Sequence, residues 1–272
     1  MQRSRQSDTY SVEEEALTVR GTNFGKAAAD YAAFRAGFPD SIFDRLKEFE
    51  IGESGQTIVD LGTGTGTLAR GFALRGCTVF GVDRDARMIA QSKKLDRRKN
   101  VSIKYVEATA ESTSLEQDSA DVVTAGQCWH WFDRPTAIAE VKRMLKSGGK
   151  LVIAHFDWLP LSGNMVEATE HLIEEYNPDW HLGGGTGMYP RWIPELAAAG
   201  MEGIRTFSYD LDVPYTHEEW RGRIRASAGV AALDPTAADS FDEALAELLA
   251  ARFPAPDLAV PHRIYAIVSE IP

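Results

Sequence analysis

The chain has 272 residues, 44% hydrophobic and 25% charged, enough to bury the core of one generous α/β domain without staples. Its formal net charge of −11 argues against a nucleic-acid substrate, because phosphate binding needs a basic footprint. No apolar run approaches the roughly 20 residues that span a bilayer, and the polar residues 1–8 do not read as a secretory signal. No membrane partner is expected, therefore, and two well-separated cysteines, Cys77 and Cys128, fit a reducing cytoplasm.

In chain order, two N-terminal helices are expected over residues 23–36 and 39–50. The second opens with Pro39 and Asp40 and spaces Ile42, Phe43, Leu46 and Phe49 along one face. Ile58, Val59 and Leu61 then read as a buried parallel strand over 57–61. Gly62, Gly64 and Gly66 form a turn in which no Cβ obstructs a ligand, and a helix begins near Gly66 with its free N–H groups toward that turn. Further strands are predicted at 77–82, 101–106, 121–125 and 149–155, with helices after Asp85 and across 134–145. Such alternation gives a parallel sheet covered on both faces, with ligands at the carboxyl ends of the strands. Beyond His155 the pattern changes to a loop, a helix near 164–176, a glycine-rich turn at 177–189 and a short helix ending at Gly200. A strand at 204–211, a helix begun by the capping box of Thr216 and Glu219, a helix over 236–252 and a strand over 262–269 complete the chain.

The glycine turn also satisfies G-x-G-x-x-A at Gly64–Ala69, a pattern shared by dinucleotide folds. Asp60 closes the strand before it, where a carboxylate suits an electropositive ligand better than a pyrophosphate. Asp83 ends the second strand, where an acid accepts both hydroxyls of a ribose. A nucleoside-containing cofactor is expected.

The run Asp60-Leu-Gly-Thr-Gly-Thr-Gly66 with Asp83 resembles the class I S-adenosylmethionine-dependent methyltransferases, in particular the small-molecule type 11 branch. Ala108–Glu111, Asp121–Asp133 with its Trp129-His-Trp-Phe132 centre, and Val141–Lys150 extend the likeness. Phe24–Tyr31 with Arg35–Pro39 is similar to the branch's cofactor-covering helix, although Ala36 and Phe38 depart from its R-P-x-Y-P. The likeness is strong over residues 23–157 and loose elsewhere. It implies a Rossmann-like, seven-stranded, mostly parallel sheet with the last strand antiparallel, N-terminal lid helices and a helical substrate cap. One domain is expected: lid 1–50; core 51–157, 201–211 and 262–270; cap 158–200 and 212–261.

The same likeness implies S-adenosyl-L-methionine as cofactor, held by Tyr31, Arg35, Asp60, Gly62, Thr63, Gly64, Gly66, Asp83, Arg84, Met88, Thr109, Ala110 and Gln127. The partner is then a small-molecule methyl acceptor, and a homodimer is compatible with it. Methyl transfer needs alignment, exclusion of water and, for some acceptors, removal of a proton, so no permanent triad is required. His130 is the candidate base, against the alternative of a loop-capping histidine. Trp129, Trp131, His155, Arg191, Trp192 and Arg221 are substrate-side candidates, with Arg225 and His262 near them. His155, Asp157 and His181 make too sparse a set for a metal. The favoured activity is O-methylation of a carboxylate or hydroxyl. The rivals are a ring C-methyltransferase of quinone-biosynthesis type, an NAD-dependent dehydrogenase and a non-catalytic cofactor sensor.

Overall fold

The computed structural model describes residues 37–272; Tyr31, Arg35 and the first expected helix lie outside them. Helix α1 (Asp40–Lys47) turns Ile42, Phe43 and Leu46 inward. Strand β1 (Thr57–Leu61) is buried from Ile58 onward, as a central parallel strand must be to pack helices on both faces. Then follow α2 (Thr67–Ala73), β2 (Thr78–Asp83), α3 (Ala86–Lys99), β3 (Lys104–Glu107), β4 (Ala120–Gly126), α4 (Arg134–Met144) and β5 (Leu145–Trp158). The chain continues through α5 (Met165–Tyr176), α6 (Trp192–Ala198), β6 (Glu202–Thr216), α7 (His217–Arg225), α8 (Ala228–Ala231), α9 (Pro235–Arg252) and β7 (Asp257–Glu270).

The seven strands are ordered β3-β2-β1-β4-β5-β7-β6 in a mixed sheet, mostly parallel with one antiparallel strand. Chain order reverses between β1 and β4, which pair in parallel with Asp60 opposite Thr124 and Leu61 opposite Ala125. That reversal leaves a crevice at the carboxyl edge.

Several element boundaries differ from the sequence reading, each for a local reason. Strand β3 starts at Lys104 and not at 101. Asn100 adopts the left-handed C-cap of α3 with φ 53°, and the Val101 amide bonds back to Asp96. Strand β2 starts after Cys77 because the Cys77 amide still caps α2 by donating to Phe72. Strands β5, β6 and β7 run well past their apolar stretches, since main-chain pairing extends a strand whatever its side chains. Helix α8 had no periodic signal to reveal it.

The described residues cluster into two compact units. One contains residues 37–157, Gly187–Leu211 and Arg263–Pro272. The expected cap segment 158–200 is therefore divided, because Trp192, Leu196 and Met201 belong to the hydrophobic cluster built on Leu61, Val123, Ala125 and Ile153. The other unit holds Trp158–Thr186 and Asp212–His262. Its helices pack round Trp220, which is fully buried, donates to Thr169 Oγ1 at 3.1 Å and meets Trp158 edge-on at 5.6 Å. Among the described residues no helix is long and apolar enough to cross a membrane.

Trp220→Ala truncates a fully buried tryptophan of that helical unit and leaves a cavity. It should cost about 3–5 kcal/mol, seen as a lower denaturation midpoint at unchanged far-UV signal.

Candidate active site

The site is built from the ends of the central strands. Asp60, 1% exposed, accepts from Thr124 Oγ1 at 2.6 Å and from Thr63 Oγ1 at 2.7 Å. One carboxylate thus ties β1 to β4 and to the glycine turn. Burial pushes Asp60 up from its ordinary value to about 6, while the hydroxyl donors oppose that rise and the negative charge of Asp83 adds to it. Both oxygens face protein hydroxyls, so Asp60 acts on a ligand through its charge and not by contact.

Asp83 sits at the mouth of the turn. Its Oδ2 accepts from the Gly64 amide at 2.8 Å and its Oδ1 from the Asp85 amide at 2.9 Å. Burial raises its pKa, and the two amide donors counter part of the effect. Each oxygen keeps a further lone pair, which is what two vicinal hydroxyls would use.

The glycines have reasons of their own. A Cβ on Gly62 would stand 2.8 Å from Cys128 Sγ and 3.2 Å from Phe132. One on Gly66 would stand 2.3 Å from Ser92 Oγ. Both glycines also have left-handed backbone, with φ 59° and 79°. They are therefore required by the protein's own packing, whatever the turn binds. Gly64 has more room, with Met88 Cε 3.5 Å from its virtual Cβ. Of the other cofactor candidates, Thr63, Met88 and Ala110 are buried, and Arg84 and Thr109 are exposed. Below the turn, Arg70 bonds Asp96 at 2.9 Å and the Thr65 carbonyl at 2.8 Å, and the Tyr105 hydroxyl donates to Asp96 at 2.8 Å. The loop that carries Thr109 and Ala110 is held by Glu140, which takes the Thr113 amide at 2.9 Å and its hydroxyl at 2.6 Å.

After β4 the chain makes a single 3-10 turn, Trp129–Trp131, that carries His130. Gln127 before it adopts φ 57°, rare for a residue other than glycine. Its amide nitrogen donates to the Phe156 carbonyl and, at 3.2 Å, to Asp157 Oδ1. Gln127 is thus committed to the end of β5, where the sequence reading had it on the cofactor. His130 and Trp131 are half-buried and their rings are 4.7 Å apart. His130 also lies 5.6 Å from the ring of His155.

His155 is 1% exposed. Its Nδ1 is 3.4 Å from Asp157 Oδ2, which also accepts from the Tyr189 hydroxyl at 2.7 Å. The rings of Tyr189 and Trp192 stack at 4.5 Å and 4°. Trp129 and Trp192, substrate-side candidates in the sequence, are fully buried in the core cluster, where they pack. Arg191 is half-buried, with its guanidinium 5.8 Å from the Trp192 ring.

Arg221 is the clearest correction. It belongs to the helical unit, where it pairs with Asp242 and with Glu218 at 3.2 Å; Arg225 joins Asp242 at 2.9 Å. His262, 2% exposed, pairs its Nδ1 with the Val260 carbonyl at 2.9 Å. Sequence reasoning missed Tyr189 and Glu140 altogether. The only available signal for the β5 pair was the spacing of His155 and Asp157, which places both on one face of a strand. Among the described residues no group of three His, Cys, Asp or Glu is placed to hold a metal.

With this geometry in hand, residues 59–153 match the family model described as a methyltransferase domain. Over this stretch the chain is similar to methyltransferase domains. An uncharacterized methyltransferase of Schizosaccharomyces pombe is 36% identical over 135 residues, covering 49% of this chain and 52% of that protein. The chain thus spans about half the length of the curated relatives it matches. Among solved structures, a Haemonchus contortus phosphoethanolamine N-methyltransferase 2 in complex with S-adenosyl-L-methionine aligns with a TM-score of 0.57. It is 21% identical and covers 93% of this chain and 58% of that one. The [4+2]-cyclase SpnF aligns with a TM-score of 0.53 at 19% identity, covering 88% and 84%. Both likenesses are likenesses of fold.

The glycine turn fits S-adenosylmethionine on its own chemistry. It offers Asp83 for a ribose, an unobstructed Gly64 backbone and a buried carboxylate that favours a cation over a pyrophosphate. The raised pKa of Asp60 also sets a stability test. The folded state binds its proton more tightly than the unfolded chain, so stability falls as pH rises from about 4 to about 6 and the loss then stays constant. Asp60→Asn should match wild type near pH 4 and become the more stable protein above pH 7, by up to about 3 kcal/mol. Urea denaturation at the two pH values measures the difference; an equal offset at both would mean an ordinary carboxylate.

Proposed function

We propose that the chain transfers the methyl group of S-adenosylmethionine to an oxygen, hydroxyl or carboxylate, of a small organic molecule. The observation that carries this reading is the pair of carboxylates flanking the glycine turn, Asp60 beneath it and Asp83 at its mouth. Two negative charges there favour a cationic nucleoside and repel a dinucleotide pyrophosphate, which sets aside the dehydrogenase rival.

When bound, the cofactor supplies the activated methyl and a good leaving group. The chain's own part is to hold and align. Asp83 takes the ribose hydroxyls. The loop around Thr109 and Ala110, tied to α4 through Glu140, borders the base. The Trp129–Trp131 turn stands over Gly62 through Cys128 and Phe132 and brings His130 to the reacting edge. Half-buried aromatic rings there exclude water from the transfer.

Calorimetric titration of the full chain with S-adenosylmethionine and with NAD checks the cofactor. Binding of the first alone is expected; tight binding of NAD alone sinks the reading. Asp83→Ala should weaken S-adenosylmethionine by about 1.5–3 kcal/mol for each lost charged hydrogen bond. Asp83→Asn, which keeps one acceptor oxygen, should fall between.

A further inference from the structure

Six buried side-chain polar atoms among the described residues have no hydrogen-bond partner, and one of them is His155 Nε2. An unpaired buried acceptor or donor is destabilising, so its retention calls for an explanation. The other side of the same ring is supported in depth. Nδ1 faces the carboxylate of Asp157 at 3.4 Å, and that carboxylate is itself fixed by the Tyr189 hydroxyl at 2.7 Å and by Gln127 at 3.2 Å. Gln127 sustains its contact from a left-handed backbone conformation, a cost of about 1 kcal/mol or more that local packing must repay. A carboxylate 3.4 Å from Nδ1 favours the tautomer with its hydrogen on that side, in which Nε2 presents a lone pair. This is the arrangement of an oriented base.

The geometry points to His155, and not His130, as the proton acceptor of the reaction, with Asp157 and Tyr189 as its positioning residues; the methyl acceptor is then a hydroxyl compound such as a phenol or enol and not a carboxylate. The inference rests on the methyl-transfer reading and narrows it. His155 ends on the same sheet edge as the glycine turn, since Ala154 pairs with Gly126 one residue beyond the pairing of Ala125 with Leu61. Its ring neighbours are Tyr189 at 4.1 Å, Trp192 at 5.1 Å and His130 at 5.6 Å. Of these, His130 and Tyr189 are half-buried and Trp192 is fully buried. Among the described residues the titratable and charged groups facing the ring are His130, Asp157 and Tyr189, with Tyr265 6.2 Å behind Tyr189.

The step balances without a further reactant. The acceptor oxygen forms its bond to the methyl carbon as the carbon–sulfur bond breaks, with that electron pair leaving on sulfur as the neutral thioether. The hydroxyl proton passes to His155 Nε2, the imidazolium is stabilised by Asp157, and water removes the proton afterwards. A carboxylate acceptor is ionised at neutral pH and would leave the dyad without a task.

Two measurements on the full chain test this. Nitrogen-15 NMR of the histidines, on the protein alone, should find His155 protonated at Nδ1 with Nε2 bare; Asp157→Asn should shift the tautomer toward Nε2. A wild-type ring protonated at Nε2 overturns the proposal whether or not the protein transfers methyl groups. A panel of phenols and carboxylic acids assayed with radiolabelled S-adenosylmethionine supplies the second readout. Hydroxyl compounds should be methylated in preference to acids. On the best of them His155→Gln and Asp157→Asn should lower kcat by about 10²–10⁴-fold, with KM and cofactor affinity nearly unchanged. The acid limb of the wild-type rate profile should vanish in His155→Gln and persist in His130→Gln. The reverse pattern, or a preference for carboxylic acids, overturns it. Should His155→Gln fail to fold, Asp157→Asn and Tyr189→Phe carry the kinetic test, the latter with a smaller loss. Absence of any transfer by wild type refutes the methyl-transfer reading and leaves the NMR result to decide the dyad.

Discussion

The carboxylate of Asp60 is the fixed point of this molecule. It is buried where a charge is costly and is retained because two hydroxyls, from Thr63 and Thr124, meet its two oxygens. Those bonds hold the end of β1, the glycine turn and the end of β4 as one piece, at the place where strand order reverses. Everything at the working edge of the sheet is positioned against that piece. Gly62 lies so close to Cys128 and Phe132 that the 3-10 turn bearing His130 rests directly on the glycine turn.

From there the order spreads outward through polar contacts and not through apolar packing. Asp83 is set by two backbone amides, the loop after β3 by Glu140, and the end of β5 by Gln127. Glu140 shows how strongly such a tie can be held: its bond to Arg143, together with those from Thr113, draws its pKa down to about 2. Beneath these ties lies an apolar cluster that includes Leu61, Val123, Ala125 and Ile153.

The likeness of fold to both a methyltransferase and a cyclase makes the same point from outside. One fold carries proteins named for different reactions, so the fold does not by itself fix the reaction. Beyond the strand ends of this chain stand the rings of His130, His155 and Tyr189, with centroids 5.6 Å and 4.1 Å apart in turn.

The sequence by itself determined the alternation of strands and helices, the glycine turn and the two acids, because each is written in a local pattern: an apolar run, a glycine spacing, an acid at a strand end. Even the capping box at Thr216 and Glu219 formed as read. Where short-range pattern was the only guide, the boundaries of β3, β5, β6 and β7 slipped, since main-chain pairing and helix caps obey neighbours that the pattern does not name. Side-chain roles went further astray. Arg221 looked like a ligand for an anion until Asp242, 21 residues away, claimed it. Trp192, a substrate-side candidate in the sequence, lies on α6 and is buried in the core. Gln127 turned from the cofactor toward Asp157. In each case the partner comes from another element, and only the tertiary structure brings it within hydrogen-bond or van der Waals reach. The Asp157–His155 pair stands between the two: its spacing puts both residues on one face of a strand, but the Tyr189 hydroxyl that fixes the carboxylate arrives from 32 residues away.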